Sequence, residues 1–77
     1  MAQEVINGME FILKSEFIEL DNMLKALKLA GSGAEAKDWI QSGRVKVNGV
    51  VESRVRRKLR LGDSVGFDSI NIDIVVK

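Results

Sequence analysis

Residues 20–49, LDNMLKALKLAGSGAEAKDWIQSGRVKVNG, set the order helix, helix, hairpin, and the rest of the chain is read outward from them. Leu20, Met23, Leu24, Leu27 and Ala30 recur at the three-four spacing of one buried helical face. Gly31 follows the last of them, in the place where a left-handed residue commonly caps a helix. Ser32 with Glu35 three residues on is the reciprocal capping box that opens a second helix. Ala36, Trp39 and Ile40 give that helix an apolar side, and Gly43 ends it, so a tight helical hairpin is predicted over Leu20–Ser42. Arg44-Val45-Lys46-Val47 then alternates out and in. Asn48-Gly49, suited to a turn with two positive φ angles, sends the chain back through Val50 and Val51.

Upstream, Met9–Leu13 reads as a short strand, and Phe17-Ile18 leads into the first helix. Downstream, Gly62-Asp63 marks a turn, Val65–Phe67 a strand and Asp68-Ser69 another turn. In the last strand Ile70, Ile72, Ile74 and Val76 share one face and Asn71, Asp73 and Lys77 the other, as in a sheet covered on one side. The expected fold is α+β: a helical hairpin packed on a small, mostly antiparallel, curved sheet. At 77 residues the chain has room for one apolar core, so residues 1–77 are read as a single domain.

The composition excludes much chemistry. With no Cys and no His, the chain offers no disulfide, no thiolate nucleophile, no thiolate or imidazole metal ligand and no imidazole acid or base. Gly31–Ala36 matches a loose dinucleotide fingerprint, but a helix precedes it where that motif needs a strand. Asp63, Asp68 and Asp73 fall in turns and on a strand exterior, with no reason to converge on a metal. Ser32 and Lys37 stand five residues apart on a helix and do not face each other, so they are not a nucleophile and its base. Trp39 lies on the apolar side of its helix and is read as core. No enzyme, no cofactor, no metal and no small-molecule substrate are expected. Apolar runs are too short to span a bilayer, and Met1–Glu4 shows no basic segment leading into an apolar run, so a cytoplasmic location is expected; a monomer is expected as a separate matter.

The charge pattern is more telling than the net charge of +1. Residues 1–24 sum to −4 and residues 61–77 to −2, while residues 25–60 sum to +7. If residues 54–60 are extended, Arg54, Arg56, Lys58 and Arg60 line one side and Val55, Leu59 and Leu61 turn inward. Lys37, Arg44 and Lys46 are expected to join them on one surface, where guanidinium forks suit phosphate oxygens. Replacing Arg54, Arg56 and Arg57 with alanine is expected to weaken polyanion binding and leave folding intact.

The ordered residues Leu20-Asp21, Leu24, Gly31-Ser32, Ala36, Ile40, Gly43, Val45–Gly49 and Gly62–Val65 resemble the S4-like RNA-binding domain, a family named for a small-subunit ribosomal protein. Ser32–Lys37 and Arg54–Lys58 look most like its small stand-alone bacterial members, of the YaaA/YbcJ type. The resemblance implies an alpha-L motif that binds structured RNA, commonly ribosomal or transfer RNA and in some cases on the ribosome, through the helical hairpin and the loop after it. Lys25, Lys28, Ser32 and Asn48 enter as candidate contacts on that basis. Glu19 and Gly33 stand where many members carry Arg, which shifts the expected contacts toward Lys37, Arg44, Lys46, Arg54, Arg56, Arg57, Lys58 and Arg60. A different reading is a protein-binding adaptor whose basic ridge meets an acidic partner.

Overall fold

The computed structural model describes residues 8–76. The readings that fell on Met1–Glu4 and Lys77 lie outside them. The chain runs β1 (Gly8–Ile12), β2 (Ile18–Glu19), α1 (Leu20–Ala26), α2 (Gly33–Gln41), β3 (Val45–Val47), β4 (Val50–Val51), β5 (Lys58–Leu59), β6 (Ser64–Phe67) and β7 (Ile70–Val75). Five strands form a sheet in the order β1-β7-β6-β3-β4, and β2 pairs with β5 in a separate ribbon. Every pairing is antiparallel except β1 with β7, so the mostly antiparallel α+β reading holds.

Strand alternation builds the core. Val45, Val47, Val65, Phe67, Ile72 and Ile74 are buried on one face, beneath Leu20, Met23 and Leu24 of α1 and Ala36 and Ile40 of α2. In the parallel register Met9 sits beside Ile72 and Phe11 beside Ile74, and both pack on the same core. The opposite face carries exposed Lys46, paired with Val51 on one side and Gly66 on the other, with Asn71 beyond Gly66. Val76 departs from the sequence reading. It follows the end of β7 and is 57% exposed, because the alternation that would bury it stops with the ladder at Val75.

The two helix ends differ in a way the sequence concealed. α1 stops at Ala26, not at Ala30, and the left-handed residue is Lys28 (φ 60°), not Gly31. Lys28 N–H donates to Lys25 O (2.9 Å) and Leu29 N–H to Leu24 O (3.0 Å), the paired bonds of a Schellman cap. The cap brings Leu29 back onto the core, and the burial of Leu29 and Ala30 outweighs the steric cost of a lysine in that conformation. The three-four spacing ran on past Ala26 because Leu27 and Ala30 both still reach the core, Ala30 by way of the cap and not of a continued helix. Lys28→Gly therefore raises stability by about 0.5–1 kcal/mol in chemical denaturation, since glycine takes positive φ without strain.

α2 follows the sequence closely. Ser32 is its N-cap, its hydroxyl accepting from Glu35 N–H at 3.2 Å. The return bond is shifted by one residue: Glu35 Oε1 accepts from Gly31 N–H (2.6 Å). A Cβ on Gly31 would lie 3.1 Å from that oxygen, which is the reason a glycine suits the position. At the other end Gly43 (φ 86°) donates to Ile40 O, and Arg44 N–H donates to Trp39 O, a second Schellman cap. Asn48 (φ 54°) and Gly49 (φ 85°) make the predicted two-residue turn between β3 and β4.

Candidate nucleic-acid interface

The cationic segment is organised by a residue that the charge pattern passed over. Glu52, just past β4, is 7% exposed and is the one buried charged residue among those described. Its Oε2 accepts from Arg54 N–H (2.9 Å) and Arg54 Nε (3.0 Å), and its Oε1 from Arg54 Nη2 (3.0 Å) and Arg57 Nη1 (2.8 Å). The Arg54 side-chain bonds, working against burial and helped by the Arg54 N–H and the Arg57 guanidinium, hold the Glu52 carboxyl down at about 2. A buried carboxylate demands such partners, and meeting that demand curls the chain around it.

Residues 54–60 therefore do not form the regular extended ridge that alternation predicts. They turn at Val55 and Arg56, with Arg57 N–H donating to Arg54 O (3.3 Å), and become strand only at Lys58–Leu59. Leu59 is buried as expected, but Leu61 is 63% exposed, because the turn at Leu61 and Gly62 (φ 94°) carries it away from the core. Arg54 and Arg57 are committed to Glu52, so replacing them removes the partners of a buried charge. A variant lacking Arg54, Arg56 and Arg57, expected from sequence to fold intact, therefore loses stability as well.

Two backbone bonds fix this loop to the helical layer. Leu20 N–H donates to Arg57 O (2.9 Å) and Asp21 N–H to Val55 O (3.1 Å), which satisfies two of the amides that the start of α1 leaves unpaired. Antiparallel pairing of Ile18 with Leu59 and Glu19 with Lys58 continues the attachment. Arg54, Arg56, Arg57 and Lys58 line an open concavity of about 420 Å³. No described carboxylate forms an ion pair with Arg56, Lys58 or Arg60, so their charge is directed outward. Lys58 Nζ and Arg60 Cζ lie 4.8 and 5.6 Å from the centroid of the Phe17 ring. Phe17 was not among the candidates; the register that sets it beside Arg60 comes from a pairing of two-residue strands, which leaves no periodic signal.

The remaining candidates do not gather at that concavity. Lys46 stands on the sheet face opposite the helices. Arg44 pairs with Asp68 (3.2 Å) and lies 5.5 Å from the centroid of Phe67, whose ring stacks on Trp39 at 4.4 Å. Lys25 lies in the last turn of α1 with its Nζ beside the first residue of α2, 3.8 Å from where a Gly33 Cβ would stand. Lys28 lies in the connection between the helices, and Lys37 is exposed on α2. Lys37, Arg44 and Lys46, expected on one surface with residues 54–60, thus do not line the concavity formed by Arg54, Arg56, Arg57 and Lys58.

Ser32 and Asn48 have structural employment. The Ser32 hydroxyl caps α2. Asn48 Nδ2 donates to Asp63 (3.1 Å), and its Oδ1 accepts from Ser64 N–H (2.9 Å), which ties the β3–β4 turn to the start of β6. Burial raises the Asp63 carboxyl, but the Arg60 N–H and Asn48 amide it accepts from, with the Arg57 and Arg60 charges, bring it below its ordinary value.

A helical hairpin thus leads into a β-hairpin, with a charged loop docked on the first helix. The S4 domain family matches residues 11–75, and the chain belongs to that family, a binding fold and not a catalytic one. Among its relatives is the Escherichia coli (strain K12) protein named "Putative RNA-binding protein YbcJ", 40% identical over 62 residues, covering 80% of this chain and 89% of that one. A Shigella flexneri protein, "Uncharacterized protein YbcJ", matches to the same extent. The solution structure of YbcJ from E. coli, described as revealing an alpha-L motif involved in RNA binding, superposes with a TM-score of 0.66 at 33% identity, over 99% of this chain and 95% of that one. Among the described residues no helix is long and apolar enough to cross a membrane.

Proposed function

We propose that this protein is a non-catalytic module that docks on structured RNA, of the ribosomal or transfer RNA kind, through phosphate contacts made by the segment 52–60. The observation that carries the reading is the loop itself. Glu52 fixes the Arg54 and Arg57 guanidinium groups, the start of α1 fixes the backbone, and Arg56, Lys58 and Arg60 are exposed and form no side-chain ion pair with a described carboxylate, although the Arg60 charge also acts on Asp63. Cations held on a rigid frame lose little entropy on meeting a polyanion, and Arg forks match phosphate oxygens. Membership of the S4 domain family and likeness to a solved protein described as RNA-binding support the same class of ligand.

Such contacts read shape and backbone more than bases, which suits a folded target. The reading implies a cytoplasmic monomer, at work on free RNA or on the ribosome. Affinity capture from a bacterial lysate checks it. Co-purified RNA should be recovered, and ribonuclease treatment should release whatever proteins accompany it. Proteins that stay bound after digestion, with no RNA recovered, would indicate the adaptor reading instead.

A further inference from the structure

The β2–β5 ribbon has two unlike faces. Ile18 and Leu59, paired across it, turn toward the core. Lys58 lies on the other face, and one step beyond the pair Phe17 and Arg60 come together there. Phe17 is only half-buried, and the Ser15 hydroxyl holds the chain at that point by donating to Phe17 O at 2.8 Å. Beside the same ring opens a hollow of about 390 Å³ walled by Phe11, Ile12, Leu13 and Ile18, with Lys14 among its lining residues. An aromatic ring thus joins an apolar hollow to two cations.

That combination selects for a ligand that is flat and apolar on one side and anionic on the other. A nucleotide has both parts: a base with a π-face and phosphates at its edges. We propose that the hollow takes the base of one unpaired nucleotide in the bound RNA, stacked on Phe17, with its neighbouring phosphates on Lys58 and Arg60. The inference rests on the RNA-docking reading and adds to it a site for a single-stranded element, a bulge or loop, next to the backbone contacts. Exposed cation–π contacts are individually weak, so a base competes for the ring while the two cations move to its phosphates. The volume falls in the range of small-ligand sites.

Two RNA hairpins test this, identical except that one carries a single bulged 2-aminopurine. The wild-type protein should bind the bulged hairpin about tenfold more tightly and should alter the fluorescence of the 2-aminopurine as it stacks. Phe17→Leu should abolish the preference and the fluorescence change while keeping the affinity for the fully paired hairpin; Phe17→Tyr should retain both. Equal affinity of the wild-type protein for the two hairpins, or an undiminished preference in Phe17→Leu, would overturn the proposal and leave RNA docking standing. If neither hairpin binds, the docking reading fails as well.

Discussion

Replacing Arg56, Lys58 and Arg60 together with alanine lowers affinity for a folded RNA by roughly 150- to 2,000-fold at about 0.1 M salt, taking about 1–1.5 kcal/mol for each charge-assisted contact. The loss should be similar across RNA sequences, because these contacts fall on the backbone. Folding should be nearly unaffected. None of the three charged groups pairs with a described carboxylate, and all three residues are exposed, so surface substitution here costs within about 0.5 kcal/mol apiece. Fluorescence anisotropy with labelled RNA, beside thermal unfolding of the same variant, separates the two effects. A fall in affinity of less than about threefold would move the contact surface elsewhere, to the cations at the helical connection or on the outer face of the sheet.

Glu52→Gln lowers folding stability by roughly 2–3 kcal/mol, the order expected when one member of a buried ion pair is removed; the figure is kept low because the Arg54 side chain is largely exposed and screened by solvent. The pH dependence carries the sign. The carboxyl is held at about 2 in the folded protein against an ordinary 4.5, so its contribution is complete above about pH 4.5 and is lost as pH falls toward 2. Chemical denaturation should therefore show the gap between wild type and Glu52→Gln at full size at pH 7 and shrinking between pH 4.5 and 2. A gap that stays constant over that interval would mean that the carboxylate is not what organises the loop. The same pairing makes Arg54 and Arg57 poor choices for probing RNA contact, because their replacement changes folding and binding together.

The fold was legible in the sequence wherever a local rule acted alone. Ser32 with Glu35, Gly43, Asn48-Gly49 and the alternation Ile70-Ile72-Ile74 each specify a backbone conformation within a few residues, and each is found where expected. The end of α1 was misplaced because Leu27 and Ala30 keep helical spacing while Lys28, a residue that seldom accepts positive φ, makes the turn. The centre of charge was visible in composition, but its shape was not. Alternation predicts a ridge only for a chain free to extend, and a buried carboxylate two residues before Arg54 and five before Arg57 overrides it. A lone acid ahead of an arginine run is the signal that could have found Glu52. Phe17 could not be placed from sequence, since its partners arrive across a pairing of only two residues per strand.

Phosphate neutralisation by the segment 52–60 is measured most directly by the salt dependence of RNA binding. With four to five phosphates neutralised, the logarithm of the binding constant should fall against the logarithm of salt concentration with a slope of about −3 to −4.5, and the alanine variant of Arg56, Lys58 and Arg60 should flatten that slope by about 2–3. A slope near zero in the wild-type protein, or the same slope in the variant, would contradict it.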